Sequence, residues 1–396
     1  MNTFVGALIL LVLGYIVYGA IVEKVFGADA SRKTPCYTMQ DGVDYIPMPT
    51  WKVYLIQFLN IAGTGPIFGA ILGILYGPSA YLWIVFGCIF GGAVHDYFSG
   101  MISLRKNGAS LPEIVGDELG PVVRLVMRIF SLVLMVLVGT VFVTTPAGLL
   151  ATMTHGAGLV GSPLFWSIII FIYYILATLL PIDALIGRIY PLFGVALLFM
   201  AVGVMFGIFT HDGFMPEVTS AWVNHNPNQS LSIFPMLFIT IACGAISGFH
   251  ATQSPMMARC MKNEKLGRRV FYGSMITEGI VALIWAAAAI KYAGSYERLA
   301  ELMTAGGNMN PAIIVNAICN DWLGSVGAIL AILGVVAAPV TSGDTAFRCA
   351  RLIAADFLRY KQSTLVRRLI ISLPLFLIAA VLMNINFDIL WRYFAW

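Results

Sequence analysis

The chain has 396 residues, 59% of them hydrophobic and only 11% charged, with a mean hydropathy of +0.88. A soluble domain carries about a quarter of its residues as Asp, Glu, Lys and Arg, so the composition excludes a water-soluble enzyme and predicts an all-α polytopic membrane protein with no nucleic-acid partner. The net charge of +4 says little by its total; the distribution of the charges along the chain says more.

Runs of about 20 apolar residues predict membrane helices, and ten can be marked, at about 3–22, 53–76, 79–104, 122–150, 163–181, 188–210, 231–257, 270–292, 322–347 and 366–385. No basic residue precedes the first run, and no small-residue cleavage site follows it, so it reads as a retained helix rather than a signal peptide. The six cysteines are scattered singly, without CxxC spacing or pairing with the five histidines, and no metal site or disulfide framework is expected.

Basic residues are retained on the cytoplasmic side. With the N-terminus outside, 20 of the 23 Lys and Arg fall on inner ends and loops, leaving Lys291, Arg298 and Arg392 outside. That asymmetry supports both the orientation and the number of spans. A basic inner face also favours the anionic headgroups of membrane lipid.

The second span contains NIAGTGPIFGA (Asn60 to Ala70), and the seventh contains GAISGFHATQSP (Gly244 to Pro255). Each is a glycine-rich, polar, proline-bearing interruption in mid-membrane. They lie five spans apart, an odd number, so they cross in opposite senses, as matched broken helices of an inverted repeat do. Downstream, LPEIVGDELG (Leu111 to Gly120) and NPAIIVNAICNDWLG (Asn310 to Gly324) correspond as short amphipathic segments ending in Leu-Gly. The expected organisation is an extra N-terminal helix and cytoplasmic loop over 1–51, a first repeat over 52–210, an external linker over 211–230, and a second repeat over 231–396. The competing account of either interruption alone is a packing notch or a kink.

Unwinding a helix at membrane depth frees N–H and C=O groups that lipid cannot satisfy. A freed half-helix N-terminus suits a carboxylate, and freed carbonyls suit a cation. Gly63, Thr64 and Gly65 in the first interruption, and Ser247, Gly248, Phe249, His250, Thr252 and Gln253 in the second, are therefore the candidate substrate-binding residues. Ionisable residues at membrane depth are functional candidates by default, which singles out Asp96, Glu278 and Asp344 as carriers of a coupling proton. Each has a structural alternative. Arg348 stands one helical turn beyond Asp344 and is a ready partner for it, and a lone His250 can simply be a satisfied packing residue. Thr341 and Ser342 offer two hydroxyls to a sodium ion, although such hydroxyls commonly bond back to their own helix. No cofactor is expected beyond a coupling proton or sodium ion, and no nucleophile–base pair or metal cluster points to an enzyme.

The stretches GTGPIFGA, GGAVHDYFSGMISLRKNGASLPEIVG, GAISGFHATQSPMMARC and SGDTAFR resemble the carbon starvation protein A family, and the resemblance covers nearly the whole chain. It implies a carrier of the bacterial inner membrane that takes up peptides or pyruvate, the latter with protons, in carbon- or nutrient-limited cells. The family is grouped with the amino acid, polyamine and organocation carriers, which implies a fold like that of the leucine transporter (LeuT), with two inverted five-helix repeats. In that frame the second span is similar to the first core helix, the seventh to the sixth, and the ninth to the helix whose two hydroxyls serve a sodium site in sodium-coupled relatives. One departure is that the second repeat lacks its last helix before the chain ends. The expected partner is a small anionic metabolite or short peptide. The alternative is a membrane nutrient sensor that binds the same ligands without moving them.

Overall fold

A computed structural model describes residues 1–154, 156, 158–179, 182–304, 309–362 and 364–385, and among them every regular element is a helix. The apolar N-terminal run forms α1 (Asn2–Phe26). It stops where Gly27, in the left-handed region at φ 67°, returns its N–H to the Glu23 and Lys24 carbonyls. After a loop, α2 (Thr50–Ala62) and α3 (Gly65–Tyr76) form one span bent by 52°. There follow α4 (Ser79–Arg105), the short amphipathic α5 (Leu111–Leu119), the long α6 (Pro121–Met153), α7 (Pro163–Leu179) and α8 (Ile182–Thr210).

The segment 211–230 holds one short turn of helix, Val218–Ser220. Beyond it come α9 (Ile233–Thr240), α10 (His250–Ala258), α11 (Glu264–Ala293), α12 (Tyr296–Thr304), α13 (Pro311–Ala331), α14 (Ala337–Leu358) and α15 (Leu365–Leu382).

Among the described residues six helices are long and apolar enough to cross a membrane, and the bent pair makes a seventh. The difference of three from ten spans has a physical origin: the expected span 163–181 holds a shorter apolar helix, Pro163–Thr178, among the described residues. The expected span 231–257 is two short helices separated by irregular backbone. The expected span 322–347 is divided between the end of α13, a widened turn at Ile332–Val336 and α14. Much of α14 is polar yet buried, including Thr341, Ser342, Asp344, Arg348 and Arg351. Its polar groups meet protein rather than lipid, so hydropathy underrates it.

Burial ranks the layers. The most apolar stretch of α11 is 89% buried, whereas those of α1 and α15 are 28% buried, so α11 runs through the interior and the other two lie at the periphery. The central helix packs against α2, α3 and α8, while α14 lies along α6 and touches α2 and α15. The two Leu-Gly pairs noted in the sequence both carry a positive-φ glycine but at different places in their helices. Gly120 closes α5 at φ 94° and Gly324 kinks α13 at φ 59°.

Candidate functional site

The first interruption is a two-residue hinge. Gly63 takes φ 48° and ψ −136°, a region that a residue with a Cβ avoids, and Thr64 follows before α3 begins. Phe142 of α6 closes over this hinge, its ring tip 2.6 Å from where a Gly63 Cβ would stand. Just before the hinge, Asn60 is wholly buried and neither atom of its amide finds a hydrogen-bond partner among the described residues; the same holds for the Thr64 hydroxyl.

The second interruption is longer. Residues 241–249 leave the helical path after Thr240 and make only local turns, such as Ile246 N–H to the Ala242 carbonyl at 2.8 Å, before α10 starts at His250. The two interruptions touch. A Cβ on Gly65 would fall 2.0 Å from the Cys243 Cβ, and one on Gly69 would fall 2.7 Å from the Thr240 carbonyl. Phe249 meets Phe142 edge to face at 6.0 Å, so Phe142 contacts both breaks. Gly65 is thus a point of close packing, whereas a Cβ on Gly248 would have nothing within 4 Å.

Asp96 and Glu278, but not Asp344, gather at the second break. The imidazole of His250 sits between two carboxylates from other helices, with Nδ1 3.0 Å from Asp96 Oδ2 on α4 and Nε2 3.7 Å from Glu278 Oε2 on α11. All three side chains are fully buried. Asp96 also receives His95 Nδ1 on its other oxygen at 3.0 Å, and the His95 side chain is partly exposed. A carboxylate only accepts, so Nδ1 of His250 donates to Asp96 and leaves Nε2 facing Glu278. Neither Glu278 oxygen has a hydrogen-bond partner among the described residues. The contact from His250 to Glu278 is therefore electrostatic, beyond hydrogen-bond length.

The remaining candidates divide into separate groups. Ser342 Oγ lies 3.0 Å from both the Leu59 carbonyl of α2 and the Ala338 carbonyl of its own helix, and Thr341 Oγ1 bonds back to Ala338 at 2.8 Å. Asp344 faces another way, taking the hydroxyls of Tyr190 and, at 3.3 Å, Tyr173. Arg348 instead reaches Asp44 at 3.3 Å in the loop before α2, so the pairing suggested by helical spacing gives way to a tertiary contact. Thr252 and Gln253 turn toward α6 and α14, with Thr252 Oγ1 donating to the Phe249 carbonyl at 2.7 Å and Gln253 Nε2 lying 3.1 Å from Thr252 Oγ1. Ser247 is buried, with its hydroxyl 3.8 Å from the Cys243 thiol.

Three participants carried little sequence signal. Gln57 Nε2 donates to Ser254 Oγ at 3.1 Å and ties α2 to α10. Phe142 is one apolar residue within a long apolar run. Asp44 sits in a loop without periodicity, yet it pairs with Arg348 and with Arg351 at 3.9 Å. Burial alone would raise the Asp44 carboxyl, but the guanidiniums of Arg348, Arg351 and Arg259 outweigh it and hold the group below its ordinary value.

The family model described as "Carbon starvation protein CstA" matches residues 1–160 and 151–319. The chain belongs to the CstA family. It is 46% identical to an uncharacterized membrane protein of Haemophilus influenzae, over 76% of this chain and 93% of that one. A Campylobacter jejuni protein named peptide transporter CstA is 30% identical, over 71% of this chain and 48% of its own length. An Escherichia coli protein named pyruvate/proton symporter BtsT is 28% identical, over 67% and 45%. This CstA-family chain thus spans about half the length of the two named transporters. Two solved structures share its fold at 16% identity. One is a substrate-bound, outward-open sodium-coupled sialic acid symporter, with TM-score 0.55 over 94% of this chain and 80% of that one. The other is MhsT in complex with L-phenylalanine, with TM-score 0.57 over 87% and 84%.

Proposed function

We propose that the chain is a secondary active transporter that imports pyruvate or short peptides across the bacterial inner membrane by alternating access, with a proton as the coupling ion. The observation that carries this reading is the buried Asp96–His250–Glu278 cluster, assembled from three helices at the second break. The names of the C. jejuni and E. coli relatives support the substrate classes and the proton. The family's description supports a role under carbon or nutrient limitation.

On this reading the cluster has two charge states that differ by one proton. With Asp96 ionised and His250 protonated, a protonated Glu278 makes the group neutral, and an ionised Glu278 leaves one net negative charge in the membrane interior. Burying net charge is costly, so uptake of a proton favours the closed, dry arrangement. Because His250 is the first residue of α10, its hold on Glu278 also fixes where the helix restarts. Loss of the proton changes that hold and lets Ser247, Gly248 and Phe249 shift.

The substrate in this scheme is bound by its carboxylate at the backbone of the two breaks, near Gly63–Thr64–Gly65 and Ser247–Gly248–Phe249. Two halves, 52–210 and 231–396, are taken as inverted repeats behind the segment 1–51, with the N-terminus outside. The matching positive-φ glycines at Gly120 and Gly324 support that organisation. Ser342 on the Leu59 carbonyl marks where a sodium ion would compete with the proton scheme.

The test is uptake of labelled pyruvate and dipeptides into proteoliposomes under an imposed proton or sodium gradient. Accumulation under a proton gradient is the expected result, and none under either gradient sinks the carrier reading. Ligand binding without accumulation is the signature of the sensor alternative.

A further inference from the structure

Where α1, α2 and α11 meet at the basic end of the molecule, a groove of about 410 Å³ opens on the surface. Its floor is one stripe of α11 that includes Arg269, Ile276, Thr277 and Ile280, with Val12 and Tyr15 of α1 on one side and Trp51 and Tyr54 of α2 on the other. From Arg269 to Ile280 the stripe runs about 16 Å at the α-helical rise.

The chemistry along the groove is graded. Tyr54 and Thr277 satisfy each other through their hydroxyls at 2.6 Å, so the middle of the wall presents hydrocarbon. Arg269 is the one charged residue among those lining the groove, and it stands at one end. It is exposed and makes no ion pair or hydrogen bond among the described residues, whereas its neighbour Arg268 is tied to Glu23 at 3.2 Å. Trp51 also lines the groove and is exposed, with the Lys52 ammonium 5.8 Å from its ring. A free cation and an indole at one end of an apolar trough match a headgroup and a chain, because Trp favours the membrane–water interface and basic residues there attract anionic lipid.

We propose that this groove is a binding site for an anionic glycerophospholipid, its phosphate on Arg269 and one acyl chain along Ile276 and Ile280. The lipid bridges peripheral α1 to the first turn of α2, the inner half of the broken span. On the transporter reading, it therefore holds the helix that must move.

The experiment is native mass spectrometry of the purified full chain with phosphatidylglycerol or phosphatidylcholine of identical acyl chains. Phosphatidylglycerol is retained preferentially, and Arg269→Gln lowers its retention about fivefold, the effect of one basic residue near a membrane surface. Arg269→Lys keeps the preference, and Ile276→Trp, which fills the trough, lowers retention of both lipids. Equal retention of the two lipids by the wild type, or an unchanged preference in Arg269→Gln, overturns the proposal. Displacement of the lipid by excess inorganic phosphate also overturns it, because the site would then be one for a free anion. Binding is read without transport, so failure here leaves the carrier reading standing, and a transport-dead protein that retains the lipid separates the two.

Discussion

Replacing Glu278 with Gln removes a titratable oxygen while keeping its shape. In the neutral arrangement proposed above, Glu278 is protonated 3.7 Å from His250, so Gln reproduces both its shape and its lack of charge. Glu278→Gln is therefore expected to alter thermal stability by no more than about 1 kcal/mol. Its effect falls on coupling. An inward gradient of one pH unit supplies about 1.4 kcal/mol per proton, which supports about tenfold accumulation of a substrate moved with one proton. On the proposed reading, the wild type is expected to approach that ratio for labelled pyruvate in proteoliposomes. Glu278→Gln stops at equal concentrations on the two sides, yet still exchanges external for internal pyruvate in counterflow. Wild-type accumulation by a folded Glu278→Gln protein would refute the assignment of the proton to this residue, and loss of exchange as well would assign Glu278 to substrate binding instead.

Further predictions concern the rest of the site. Gly248→Leu, at a position with open space for a Cβ, is expected to leave folded yield intact and to weaken pyruvate binding by at least tenfold; unchanged affinity in a titration removes the second break from the substrate path. Ser342→Ala deletes the hydroxyl on the Leu59 carbonyl and is expected to leave the proton-driven accumulation ratio unchanged, because the gradient sets it, whereas selective loss of sodium-driven uptake would assign the coupling ion to sodium. Asp44 has a folded-state pKa held below its ordinary 3.8, so its stabilising effect is full above that value and fades as pH falls through the lower, folded one. Asp44→Asn should therefore lower the melting temperature at pH 7 and flatten its decline below about pH 4; an unchanged melting curve at both pH values would show that the Asp44–Arg348 pair contributes nothing.

The membrane class and the two broken segments were legible in the sequence for a single reason. Lipid rejects unpaired polar groups whatever their order along the chain, so GTGP and GAISGFHATQSP stand out from apolar surroundings without any knowledge of the fold. The number of long helices was less legible. Hydropathy treats Asp344, Arg348 and Arg351 as costs, although the fold buries them against Tyr190, Asp44 and Gln362. The choice of partner within reach was not legible either. Arg348 stands one turn from Asp344 in the sequence, yet it pairs with Asp44, 304 residues away.

What the sequence determined by itself is the set of groups a bilayer does not tolerate unless protein partners or a function hold them. His250, Asp96 and Glu278 were singled out by composition and depth alone, each with a structural alternative left open. Only the tertiary structure decided that the three form one cluster, because His250 and Asp96 lie 154 residues apart and their contact depends on how α4, α10 and α11 cross. The same packing separates Ser342, turned to the first break, from Asp344, turned to Tyr173 and Tyr190, although they stand two residues apart. Transfer into lipid is a sum over residues and is readable one residue at a time, whereas an ion pair depends on a distance between helices that no local pattern encodes.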